Sequence, residues 1–567
     1  MPTRRTVRWM PAALTAVVLV VPITTAAASH AAVQNPAAQK QTTAVPKIAW
    51  GGCGADPKLA AFQCAQVEVP TDYDSPHGPT TTIALTRLPA GDPIKRIGTL
   101  FTNPGGPGGS GVDFVQQAAQ VVYTPELRAR FDILGFDPRG VARSDSATCF
   151  PTAKQEVDFF ATQPPFPLGR TEEKRFTVDN AKLGASCLTT SPDRLAHDST
   201  ANVARDMDLL RQAVGDDKLS YAGYSYGTYL GATYARLFPG NVRALMLDGT
   251  LNPVWYSGSD GDPRPVGVRI RQGDGASDTL SQFNLQCKTA GASRCALAKL
   301  GDPATVVERL YQRLKTNPVD LPLPDGTMLK VTYPVAVQLT FFSLYSPAAW
   351  PDLASLLADL STAANGKASA AGKRTAKVDA PLPDGLLEWT RRKEDYVSVG
   401  NALTPCIETR QTGRPLSYPQ YAAAADAKAP HFGRARAWVG QTCEFLPIRD
   451  TDAFLGPWKL DVPVPVLVFG TKYDPATPYQ ATRPYADMFP DARMMTLNGW
   501  GHTTIGKSRC ADKAITAYLV DLTAPADGEV CQPDRKPFDP LPNAETSAPQ
   551  VRIDLPPGVQ HWQGLGL

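Results

Sequence analysis

The chain has 567 residues, 57 Lys and Arg against 54 Asp and Glu, and 43% hydrophobic content, an ordinary globular composition. Three of the cations, Arg4, Arg5 and Arg8, fall in the first ten residues, and without them the balance is 54 to 54, so charge gives no case for nucleic acid or an anionic membrane as partner. The length is too great for a single compact core and calls for two domains or one domain with a large insertion.

In chain order, the basic residues at 4, 5 and 8 are followed by an apolar stretch from Met10 to about Ile23 and then by Ala26-Ala27-Ala28-Ser29-His30-Ala31. This pattern predicts a signal peptide over residues 1–31, cleaved after Ala28 or Ala31. A membrane anchor is the competing reading, but Pro11 and Pro22 bracket a core too short to span comfortably. Thr3-Arg4-Arg5 is too degenerate to separate twin-arginine from general export. No cysteine lies near the cleavage region to carry a lipid. The mature protein is therefore expected to be secreted and extracellular, with no membrane association after cleavage. Residues 32–47 predict a flexible leader.

Strands are predicted at Thr80–Leu88, Gly98–Thr102, Phe131–Phe136, Leu219–Ala222, Ala244–Leu247, Val462–Gly470 and Arg493–Leu497. Helices are predicted at Asn202–Val214, Tyr226–Leu237, Gln480–Met488 and Ala511–Val520. Strand and helix alternate through short glycine-bearing turns, which argues for an α/β fold with a mainly parallel sheet. The alternation stops between residues 252 and 455. Helical stretches such as Thr305–Leu314 and Ala348–Ala363, with spacers such as Ala363–Ala376, predict an inserted, largely helical cap there. The core then divides into residues 48–251 and 456–535, and residues 536–567 form a Pro-rich tail. No internal repeat is present.

Ten cysteines follow the signal: Cys53, Cys64, Cys149, Cys187, Cys287, Cys295, Cys406, Cys443, Cys510 and Cys531. An even number in an exported chain predicts disulfides, each stabilising by roughly 2–4 kcal/mol. Nearest-neighbour pairing is expected, although spacing alone does not fix connectivity. Metal binding would want CxxC pairs or histidine neighbours, which these cysteines lack.

Gly223-Tyr224-Ser225-Tyr226-Gly227 is a GxSxG sequence between a predicted strand and helix. A nucleophilic serine needs such a tight turn with small flanking residues, and the helix start favours developing negative charge. A serine also needs a base. Of six histidines, His30 is in the signal, His77 and His197 precede the serine, His431 is in the cap and His561 in the tail. His502 remains, in a turn after a strand, in the chain order Ser…Asp…His. Asp474 follows the strand Val462–Gly470 and is the favoured acid, with Asp248 after Ala244–Leu247 as the alternative. Its task is to fix the imidazole tautomer and stabilise the imidazolium. The run Asn103 to Gly111 lacks a Walker lysine and GxGxxG spacing. It predicts instead an oxyanion hole of the N–H groups of Gly106, or in second place Gly105, and Tyr226. Asp137-Pro138-Arg139-Gly140 with Arg143-Ser144 is read as scaffolding near the site.

The ordered set NPGGPGGSG, FDPRGVARS, GYSYGTYLGATYARLFP, GTKYDPATPY and WGHTTIGKSRC resembles the secreted tripeptidyl aminopeptidases of actinomycetes, which are proline iminopeptidase-like serine peptidases. The likeness runs from about Trp50 to Cys531. It implies an α/β-hydrolase fold with a cap after the sixth strand, no cofactor or metal, and release of short peptides, typically tripeptides, from free N-termini. By motif it assigns Ser225, Asp474 and His502 to the family's triad. Ala142 stands where the family usually has Gly. An exopeptidase further needs an anion for the substrate ammonium, for which Glu408 and Glu444 are candidates. A Cys406–Cys443 bridge would hold them near each other. Substrates are thus peptides or small proteins, and a monomer is expected. A carboxylesterase with the same triad is the first alternative and an inactive binding protein the second.

Overall fold

The computed structural model describes residues 43–322, 328–366 and 403–540. The expected signal, the leader up to residue 42, the spacer beyond residue 366 and the tail beyond residue 540 lie outside the described residues. The strands are β1 (Gly51–Gly52), β2 (Gln63–Pro70), β3 (Thr80–Leu88), β4 (Gly98–Asn103), β5 (Phe131–Phe136), β6 (Leu219–Tyr224), β7 (Val242–Asp248), β8 (Val319–Pro322), β9 (Met328–Val331), β10 (Val466–Tyr473), β11 (Ala492–Trp500) and β12 (Val530–Cys531).

Ten of these strands form one sheet in the order β1-β2-β3-β5-β4-β6-β7-β10-β11-β12. The pairs β1/β2, β2/β3 and β3/β5 are antiparallel, and every pair from β5 to β12 is parallel. Parallel strands covered on both faces read as continuous buried runs, and every residue of β4, β5 and β6 is buried. Alternate side chains feed two cores. Phe101, Leu134, Tyr221, Leu245 and Val468 enter one, while Leu100, Ile133, Ala222, Met246 and Phe469 enter the other. The strand expected from Val462 begins only at Val466, because Pro463 and Pro465 cannot donate to a ladder.

After β7 the chain leaves the sheet and returns at β10. The described part of this excursion is mostly helical and has its own core, including Phe283, Tyr311, Phe341, Trp350 and Leu353. It also holds the antiparallel ribbon β8/β9, which no sequence pattern announces. A second excursion follows β5. Its helix Gly169–Thr190 joins the cap: Asn180 Nδ2 donates to Gln441 Oε1 at 2.9 Å, and Thr442 Oγ1 donates to Asn180 Oδ1 at 2.6 Å. That helix has few apolar residues, so no amphipathic stripe marks it in the sequence.

The ten cysteines pair as Cys53–Cys64, Cys149–Cys187, Cys287–Cys295, Cys406–Cys443 and Cys510–Cys531, each with its nearest neighbour in sequence. No described helix is long and apolar enough to cross a membrane.

Candidate active site

Ser225 lies between β6 and the helix Tyr226–Leu237, with φ 57° and ψ −124°. A non-glycine residue at such a φ is strained and held only by its surroundings. Here its N–H donates to the Asp248 carbonyl at 2.9 Å, and its own carbonyl accepts from Thr228 N at 2.9 Å and Thr228 Oγ1 at 2.6 Å. The turn has no room for larger neighbours. A Cβ on Gly223 would stand 2.5 Å from the Gly227 carbonyl, and one on Gly227 would stand 2.6 Å from the Asn103 carbonyl.

His502 and Asp474 come from loops after β11 and β10. His502 Nδ1 is 2.9 Å from Asp474 Oδ2 and 3.0 Å from Oδ1. Asp474 is also fixed by Ala476 N at 2.8 Å, Thr477 N at 2.9 Å and Thr477 Oγ1 at 3.0 Å. Burial works to raise its pKa, but the imidazole and these donors outweigh burial and hold it below the ordinary carboxylate range. The His502 N–H donates to the Tyr345 carbonyl at 2.8 Å, and the two rings pack with centroids 5.0 Å apart. His502 Nε2 is buried and unpartnered. It makes no hydrogen bond with Ser225, yet both residues flank the dipeptide Asp248-Gly249. Ser225 bonds Asp248, and a Cβ on Gly249 would stand 3.1 Å from His502 Cε1. Such bonds often tighten only when substrate binds.

Asp248, the alternative acid, faces elsewhere. Its Oδ2 accepts from Thr504 N and Thr504 Oγ1, both at 2.8 Å, and its Oδ1 has no partner. Burial pushes this carboxyl up to about 6, against the pull of Thr504. The imidazole is thus served by Asp474.

In the glycine loop, Gly105 and Gly106 have φ of 99° and 113°, a region that side chains rarely enter. A Cβ on Gly105 would stand 2.7 Å from Ser225 Cβ and 3.0 Å from Tyr226 N. The Gly105 N–H is already spent on Asn103 Oδ1 at 2.9 Å. The N–H groups of Gly106 and Tyr226 donate to no acceptor among the described residues, which favours Gly106 over Gly105 as a donor to an oxyanion. The loop is anchored by Asp137, whose Oδ1 accepts from Ser110 Oγ at 2.5 Å and Val112 N at 3.1 Å. Arg139 is fully buried against Asp206, with Nη2 to Oδ1 at 2.6 Å, and also donates to the carbonyls of Pro70, Thr71 and His197.

Glu408 and Glu444 are joined through the Cys406–Cys443 bridge, but the protein itself engages both. Glu408 accepts from Thr200 N at 2.7 Å, Thr200 Oγ1 at 2.8 Å and Tyr256 OH at 3.0 Å. Burial raises its carboxyl to about 7, against these donors. Thr200 Oγ1 in turn bonds the Tyr226 hydroxyl, so Glu408 is tied to the elbow. Glu444 accepts from Thr412 N, Gly413 N and Tyr418 OH.

Sequence reasoning overlooked Lys507. Its Nζ donates to the carbonyls of His502 and, at 2.8 Å, Thr503. Burial lowers its pKa to about 8, while Asp474 and Asp248 pull upward. Its position five residues after the histidine is the one available clue. Among the described residues no group of His, Cys, Asp and Glu could hold a metal ion.

Two family models match this chain: the α/β hydrolase fold over residues 98–271 and the TAP-like protein over residues 429–531. The first spans the elbow and the glycine loop, and the second spans Asp474 and His502. Serine protease Hip1 of Mycobacterium tuberculosis is 32% identical over 82% of this chain and 87% of its own. Tripeptidyl aminopeptidase of Streptomyces lividans is 29% identical over 86% and 87%. Carboxylesterase B of M. tuberculosis is 31% identical over 86% and 90%. The chain belongs to the α/β-hydrolase fold family, among its TAP-like members, and is a serine hydrolase.

Proposed function

We propose that the chain is a secreted exopeptidase that releases short peptides, above all tripeptides, from free N-termini. The observation that carries the reading is His502, doubly contacted by Asp474 on one nitrogen and bare on the other, beside a strained Ser225. The name of the Streptomyces relative supplies the substrate class.

The proposed cycle uses only this chain's residues and water. Ser225 Oγ gives its proton to His502 Nε2 and bonds to the scissile carbonyl carbon. The N–H groups of Gly106 and Tyr226 receive the oxyanion, each worth about 3–4 kcal/mol of transition-state stabilisation. His502 then protonates the leaving nitrogen as the C–N bond breaks. Water attacks the acyl-enzyme, His502 takes its proton, and the proton returns to Ser225 as the peptide acid leaves.

Carboxylesterase activity is the second reading, favoured by the relative of that name. A free-N-terminal tripeptide anilide, its N-acetyl form and a p-nitrophenyl butyrate ester separate the two. The proposal expects the free anilide to be cleaved far faster than the blocked one. Ester turnover without anilide turnover removes the peptidase reading, and equal cleavage of the blocked peptide removes the exopeptidase reading. Glu408 and Glu444 enter as receivers of the substrate ammonium only by releasing an internal donor. An unchanged preference for the free N-terminus in both E408Q and E444Q takes them out of that role.

A further inference from the structure

Arg436 lies on the cap helix Phe432–Ala437 and is 1% exposed, yet none of its three guanidinium nitrogens has a hydrogen-bond partner. Its Cζ sits 4.8 Å from the centroid of the Phe341 ring. A buried cation without a counter-charge is costly, and one cation–π contact offsets only part of that cost. Arg139 shows the contrast, since its buried guanidinium is satisfied by Asp206 and main-chain carbonyls. Burial accordingly lowers the pKa of Arg436 to about 10, with the Tyr345 phenol opposing.

The surroundings of Arg436 connect it to the triad from two sides. Tyr345, whose phenol is within electrostatic reach of both Arg436 and Asp474, packs on His502. The helix Gln272–Ala290 starts against Gly433, on the helix of Arg436, and its Gly275 lies against the Asp474 carbonyl. At that same start, Gln272 Oε1 is buried without a donor. A buried cation lacking an acceptor and a buried amide oxygen lacking a donor therefore lie on two cap helices that pack against each other, one of which touches the Asp474 main chain.

We propose that Arg436 receives a carboxylate of the substrate close to the scissile bond, so that the enzyme selects acidic peptides. This rests on the peptidase reading. A guanidinium matches a carboxylate with two parallel hydrogen bonds. A site built that way rejects the neutral analogue strongly, because its buried donors stay unpaired. The carboxylate has two possible sources: an acidic side chain beside the cleaved bond, or the C-terminus of a short substrate.

The test compares kcat/KM for tripeptide anilides ending in Glu or Gln, and for tetrapeptides with free or amidated C-termini. Wild type should favour the carboxylate in one pair by about 30-fold or more, and that pair names the source. The ratio should fall to about 3-fold or less in R436M, with R436K keeping part of it. R436M should also melt at a higher temperature than wild type, as an uncompensated buried charge is gone. No preference in wild type, or a preference that survives in R436M, overturns the proposal. If no anilide is cleaved, the peptidase reading fails, and glutarate then tests the site alone. It should raise the melting temperature of wild type and not of R436M. Absence of any shift in wild type, or an equal shift in both, overturns the site.

Discussion

Asp474→Asn should remove nearly all turnover and Asp248→Asn should not, although both carboxylates are fully buried at the ends of adjacent strands. Both oxygens of Asp474 lie within 3.0 Å of His502 Nδ1. An asparagine amide group there would favour the tautomer with its proton on Nε2, which then cannot accept the Ser225 proton. The expected loss is about 10⁴-fold in kcat, on the order of 5.5 kcal/mol. Asp248 spends one oxygen on Thr504 and leaves the other unpartnered. Asparagine can keep the acceptor for Thr504, so D248N should lose less than about 10-fold. The assay is kcat/KM on the tripeptide anilide and the butyrate ester at pH 8, with melting temperatures to exclude misfolding. A D474N enzyme within tenfold of wild type, or a D248N loss as large as that of D474N, would refute the assignment of the acid.

Gly105→Ala should cut kcat by about 100-fold or more, because its Cβ would stand 2.6 Å from the Tyr224 carbonyl and 2.7 Å from Ser225 Cβ; steady-state kinetics on either substrate measures this. Ala142 has φ 45°, so Ala142→Gly should stabilise by roughly 1 kcal/mol in a urea melt. Lys507→Met should lower kcat about tenfold with little change in KM, because Nζ holds the carbonyls of His502 and Thr503. Glu408 titrates at about 7 when folded, above its ordinary value of about 4.3. The folded state therefore binds the extra proton, and the stability from this group is lost as pH rises from about 4.3 to 7. Urea melts at pH 5 and pH 8 should show a smaller difference in E408Q than in wild type.

The candidate triad stood out in the sequence because each member follows a strand: Ser225 after the buried β6, Asp474 after the largely buried β10 and His502 in the turn after the half-buried β11. Asp474 was favoured over Asp248 in the sequence, but the two stand at the ends of adjacent strands, and it is side-chain direction that puts Asp474 on His502 and Asp248 on Thr504. Lys507 and Arg436 were hidden for another reason. A buried cation carries no periodic signal: Lys507 bonds main-chain carbonyls a few residues before it, which no residue type marks, and the Arg436 guanidinium has no hydrogen-bond partner. Glu408 was read as a candidate receiver of the substrate ammonium, and its internal donors were not foreseen because Thr200 and Tyr256 lie more than 150 residues away in sequence. The sheet was mostly visible as apolar runs. The ribbon β8/β9 and the helix Gly169–Thr190 were not, being too short or too polar to show a period.

Ser225 is the proposed nucleophile and His502 the base that activates it. Incubation with a fluorophosphonate, followed by mass spectrometry of the digested protein, tests this directly. One adduct is expected, on the peptide carrying Gly223 to Gly227, absent in S225A and formed far more slowly in H502A. An adduct on another residue, or an S225A enzyme that still turns over substrate, would contradict it.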